Sequence, residues 1–99
     1  MLVITGTVRI PEGKVNELVP IMTDVIENSR KEKGCLLYAF SLDVLEPTLL
    51  RISERWETQE DLAAHAQSEH VKRWRKEGVE LGVHDRQLKL HEVSSVKDL

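Results

Sequence analysis

Ninety-nine residues leave room for one hydrophobic core and no second, so the chain reads as a single domain over 1–99. Fourteen Lys and Arg against seventeen Asp and Glu give a net charge of -3 with both signs interspersed, which excludes the basic footprint of a nucleic-acid binder. The apolar runs reach only about five residues, against the roughly 20 needed to cross a bilayer; the lone Cys35 and the absence of a leader at Met1-Leu2-Val3-Ile4 point to a reducing cytoplasm.

A first strand is predicted over Leu2–Ile10, rich in Val, Ile and Thr and closed by the turn Pro11-Glu12-Gly13. From Lys14 to Lys33 the apolar residues Val15, Leu18, Val19, Met22, Val25 and Ile26 follow the repeat of a helix with one buried face, with Gly34 as its C-terminal cap. Pro20 removes a helical hydrogen bond and predicts a kink or a late start. Cys35–Asp43 and Leu49–Trp56, separated by a turn with Glu46-Pro47, form a β-hairpin. Thr58-Gln59-Glu60-Asp61 resembles a capping box and starts a short helix that turns Leu62, His65 and Ala66 inward. Ser68 is positioned to cap a second short helix carrying Val71 and Trp74 and ending near Gly78. Arg86–Val93 alternates polar and apolar residues as a half-buried strand does, and residues 94–99 are expected to fray.

The order is β-α-β-β-α-β, a ferredoxin-like α+β fold whose antiparallel sheet carries helices on one face. In the second strand Leu36, Tyr38, Phe40 and Leu42 alternate with Cys35, Leu37 and Ala39, so both faces look apolar and only one has helices to cover it. A second subunit on the bare face, a homodimer, follows as an expectation.

Gly34-Cys35-Leu36-Leu37-Tyr38, Glu54-Arg55-Trp56, Leu62-Ala63-Ala64-His65 and Ser68-Glu69-His70-Val71 together resemble the antibiotic biosynthesis monooxygenase family, with its G-C-x-x-Y, E-x-W, L-x-x-H and S-x-H-V segments. The resemblance spans nearly the whole chain. It implies a dimeric α+β barrel with the two sheets facing each other, and a pocket in each subunit between sheet and helices. The family's activities include cofactor-free oxygenation of quinols and polycyclic phenols, haem degradation and processing of a signalling sugar derivative, so the resemblance fixes fold better than substrate.

His65, inward on its helix in an apolar setting, is the candidate base for a phenolic proton; equally, it reads as a core histidine tying helix to sheet through a hydrogen bond. Glu54 shares strand parity with Ile52 and Trp56 and is the candidate orienting carboxylate. Tyr38, Trp56, Ile52 and Leu62 are candidate pocket walls for a flat aromatic, with Trp74 and His70 closing it; core packing is the ordinary role of each ring taken singly. Arg75 could approach an anionic intermediate, although it stands in a basic run typical of a solvated face.

No metal is expected. His65 and His70 are five apart, roughly 140° around a continuous helix, and there is no Cys pair. No glycine-rich phosphate loop suggests a flavin or nicotinamide. The haem-degrading branch uses a first-strand Asn, a Trp where His65 stands and a His where Arg75 stands, so the haem reading loses its residues here. The leading expectation is therefore a cofactor-independent monooxygenase for a small electron-rich aromatic, a quinol or phenol. An isomerase or degradation enzyme for a small carbonyl compound, and a ligand-binding barrel without turnover, fit the same pocket.

Overall fold

The elements β1 (Leu2–Arg9), α1 (Val15–Arg30), β2 (Cys35–Leu42), β3 (Leu49–Trp56), α2 (Gln59–Ala66), α3 (Glu69–Glu80) and β4 (His84–Glu92) succeed one another in a computed structural model that describes residues 1–99. The strands lie in the order β2-β3-β1-β4 with every neighbouring pair antiparallel, the ferredoxin-like α+β arrangement. Val93–Leu99 enter no helix or strand.

Period-two alternation decides which strand residues meet the helices. Leu50, Ile52, Glu54 and Trp56 of β3 are all buried, and Val8 and Leu2 stand opposite Leu50 and Trp56 on β1. Leu18, Met22 and Val25 of α1 and Val71 of α3 close over them in two adjoining clusters. In α1 the buried stripe takes Ile21 rather than the expected Val19, which faces outward. The helix begins at Val15 and runs through Pro20, so no late start occurs; Pro20 is exposed, on the side where a missing N–H is least costly.

Gly34 does not cap α1, which ends at Arg30. It lies at the end of the following turn with φ 77°, and a Cβ there would fall 2.0 Å from Asp61 Oδ2, so the first turn of α2 docks against bare backbone at this point. Thr58 caps α2 as expected, its hydroxyl accepting from the Asp61 N–H at 3.1 Å. Ser68 stands at the head of α3 without capping it; its hydroxyl instead donates to the His65 carbonyl at 2.6 Å, satisfying the end of α2. α3 continues two residues beyond Gly78, which is buried beside the Trp74 ring.

Two corrections concern the sheet faces. A register shift between Cys35 and Leu37 sets Cys35 opposite Trp56 and Tyr38 opposite Glu54, so Cys35 joins the helix-covered face instead of opposing Tyr38. The helix-free face is then lined by Val3, Leu37 and Ala39 interleaved with Thr5, Thr7, Arg51, Ser53 and Arg55, a mixed surface rather than the apolar one expected. β4 starts at His84, earlier than Arg86, and is largely exposed, with Leu88 alone half-buried. No helix is long and apolar enough to cross a membrane.

Candidate active site

Two connections converge on one imidazole. The ends of α2 and α3 meet at Gln67-Ser68, where Ser68 adopts an extended backbone (φ -71°, ψ 151°) and breaks the helix. The break folds His70 back toward His65, their ring centroids 6.1 Å apart. From the other side the turn after α1 presents Glu32, held in place because α2 packs directly on Gly34 two residues later.

His65 is buried, its Nδ1 3.0 Å from Glu32 Oε1 and 3.5 Å from the hydroxyl of buried Ser29. The same Glu32 oxygen is in contact with His70 Nε2. The opposite nitrogen, Nε2, faces Glu54 Oε1 at 3.7 Å, beyond hydrogen-bond range. Glu54 is anchored instead by the Trp56 indole, whose Nε1–H donates to Oε1 at 3.0 Å. The His65 ring packs against Trp56 and Tyr38 with centroids at 4.5 and 5.2 Å.

This setting reshapes the acidities around the ring. Burial pushes the Glu54 carboxyl above its ordinary value, although the Trp56 hydrogen bond and the charges of His65, Arg86 and Arg75 oppose the shift. Burial, reinforced by Glu54, drives the Tyr38 phenol far upward, with a Ser29 hydrogen bond opposing, so its hydroxyl stays protonated at any physiological pH. Burial and the neighbouring Arg75 pull the Arg86 guanidinium below its ordinary value.

Next to His65 opens a cavity of about 280 Å³, walled by Tyr38, Ile52, Val71, Trp74 and Leu88, with Glu54 and His65 as its inner polar groups. Arg75 and Arg86 line it from α3 and β4. A mostly apolar cleft with few convergent polar groups, at the small end of the usual ligand-pocket range, suits a molecule of one or two rings.

The antibiotic biosynthesis monooxygenase model matches residues 1–77. The chain belongs to that family. Similar solved structures of like fold include a Deinococcus radiodurans protein provisionally assigned to antibiotic biosynthesis monooxygenases, with TM-score 0.91 and 23% identity over 100% of this chain and 98% of that one. A Pseudomonas aeruginosa protein aligns with TM-score 0.83 and 23% identity over 95% of this chain and 94% of its own. An uncharacterized protein of Synechocystis is 24% identical over 99% of this chain and 67% of that one.

Set in this monooxygenase fold, the residues expected from sequence part into three groups. His65, Glu54, Tyr38, Ile52 and Trp74 meet at the cavity, and Leu62 lines an adjoining smaller one with Ile4 and Leu90. Trp56 is 0% exposed and absent from the cavity wall, so it holds Glu54 rather than a ligand. His70 also stays off the wall, turned to Glu32. The carboxylate hydrogen-bonded to His65 is Glu32, not Glu54. Nothing local marked it: Lys31-Glu32-Lys33 reads as a solvated charge run, and the side chain becomes partly covered only because α2 and α3 fold over it. Ser29 and Arg86 were missed as well, because their place beside the site comes only from tertiary packing.

Proposed function

We propose that the chain is a cofactor-independent monooxygenase of small electron-rich aromatics, quinols or phenols, with His65 as the base. The observation that carries this reading is the asymmetry of the His65 ring. Nδ1 lies 3.0 Å from the Glu32 carboxylate, which holds a proton on that nitrogen, while Nε2 has no hydrogen-bond partner and stands at the cavity beside Glu54. A neutral imidazole so held offers its Nε2 lone pair to a bound hydroxyl.

Removal of that proton makes the ring of the substrate a better one-electron donor to dioxygen. Recombination of the resulting radical with superoxide forms a carbon–oxygen bond, and loss of water leaves a carbonyl. The substrate supplies all four electrons, one oxygen atom enters the product and the other leaves as water. The imidazolium formed in the first step lies between two carboxyl groups, Glu32 and Glu54, which stabilise it. Tyr38 and Trp74 supply flat walls for an aromatic ring, and Ile52, Val71 and Leu88 exclude water. The reading includes a homodimer working in the cytoplasm on a quinone-like ligand.

The test is oxygen uptake by purified protein across a panel of quinols and anthrone-like phenols. With a turned-over substrate, His65→Ala should lower the rate by roughly 10² to 10⁴. A cooperatively folded His65→Ala protein with near wild-type oxygen uptake would end the catalytic claim, and anaerobic turnover would favour proton-shuttling isomerisation.

A further inference from the structure

The carboxylate of Glu32 sits in an unusual charge environment. Its side chain is 18% exposed, no Lys or Arg pairs with it, and its ion-pair partners are His65 Nδ1 and His70 Nε2, both on Oε1. When both rings are neutral, this largely covered carboxylate has no fixed cation beside it. The three potential ligand atoms, two imidazole nitrogens and one carboxylate oxygen, lie within 4.8 Å of one another. They come from three separate elements, the turn after α1, α2 and the first turn of α3, and converge on one point at the protein edge.

From this convergence we propose that Glu32, His65 and His70 form a binding site for one divalent transition-metal ion. Ligand bonds of about 2.0 to 2.1 Å in tetrahedral geometry put ligand atoms roughly 3.3 Å apart, so the two imidazole nitrogens draw together from their separation of at most 4.8 Å while the Glu32 oxygen, 3.0 Å from His65 Nδ1 and nearer still to His70 Nε2, backs away from both. Two imidazoles with one carboxylate select zinc, cobalt or nickel over magnesium and calcium, which favour all-oxygen shells. An outer partner stands nearby: Glu54, fixed by Trp56, faces His65 Nε2 at 3.7 Å, and a shift of about half an ångström in the ring brings the Nε2–H into hydrogen-bond range, completing the carboxylate–histidine–metal arrangement that orients a ligand ring. His70 and Glu32, at 16% and 18% side-chain exposure, leave an entry path from solvent.

Occupancy changes the chemistry of the ring. An ion on Nδ1 confines the proton of a neutral imidazole to Nε2, the nitrogen that the proposed oxygenase reaction needs free. Resting on that reading, the loaded protein is an inhibited form. Binding itself is measured without substrate, so the site and the reaction succeed or fail independently.

The experiment is titration of the chelator-treated full chain with zinc by calorimetry and with cobalt by its visible absorption. One ion per chain is expected. Glu32→Gln and His70→Asn should each weaken binding by more than the roughly 10- to 100-fold typical of losing an outer-shell partner, Glu54→Gln should fall within that range, and His91→Asn, across the sheet, should leave it unchanged. In the wild-type chain cobalt should broaden the ring signals of His65 and His70 before those of His84 and His91, a readout that needs no variant. Saturable binding that survives both ligand substitutions, or no saturable binding up to roughly millimolar metal, would overturn the proposal.

Discussion

Two carboxylates flank one imidazole here, and their different neighbours give them different work. Glu32 takes the Nδ1 side and sets the tautomer, whereas Glu54 stands on the Nε2 side, where burial weakens its acidity and limits the charge it carries. Trp56 serves Glu54 rather than the cavity, and this assignment has a measurable cost. Trp56→Phe removes the indole donor and leaves a buried acceptor unpaired, worth roughly 1 to 3 kcal/mol, and the smaller ring adds a void. The expected loss is about 2 to 4 kcal/mol in urea unfolding. A loss below about 0.5 kcal/mol would show that Glu54 does not depend on that hydrogen bond.

Among the elements, the β2–β3 connection is tied by one side chain. Asp43 accepts from the Leu45 and Glu46 N–H groups at 3.0 and 2.9 Å and from Arg51 Nε at 2.9 Å. Arg51 first, then the two backbone donors, hold its carboxyl below the ordinary value of 3.8. A depressed carboxylate contributes stability that is present above its unfolded value and lost as pH falls through the folded one. Asp43→Asn should therefore melt below wild type at neutral pH, and the two melting curves should converge as pH drops below about 3.8. A difference that stays constant with pH would assign the effect to loop geometry alone. The break between α2 and α3 matters more for function: Ser68, expected as a cap, separates two helices whose histidines would otherwise point apart.

At the scale of the molecule, a sheet with helices on one face leaves Val3, Leu37 and Ala39 among threonines and arginines on the other. Leu37 is 37% exposed in the single chain. A partner subunit that covers the helix-free face buries these side chains without needing a wholly apolar surface, since non-obligate interfaces are about as apolar as the remaining protein surface. Sedimentation at micromolar concentration should give twice the 11.4 kDa chain mass, and Leu37→Asp should shift the protein toward monomer. A wild-type chain sedimenting at 11.4 kDa would remove the dimer from the proposed function.

What the sequence determined by itself is local and periodic. Alternation along Leu49–Trp56 put Glu54 on the same face as Ile52 and Trp56, the Thr58 cap placed α2, and the inward stripe of that helix carried His65, because each follows from a fixed repeat of two or 3.6 residues. The family segments added the fold, since they sit at the ends of those same elements. What only the tertiary structure decided depends on contacts between residues far apart in the chain. The 3.0 Å approach of Glu32 to His65 crosses thirty-three positions, and the meeting of Glu32 with His70 crosses thirty-eight. Both need α2 seated on Gly34 and a helix break at Ser68. A continuous helix would have kept His65 and His70 roughly 140° apart, which is why spacing argued against a shared ligand. The cavity likewise belongs to no single segment, because Tyr38, Ile52, Trp74 and Leu88 come from four elements and enclose space only when packed.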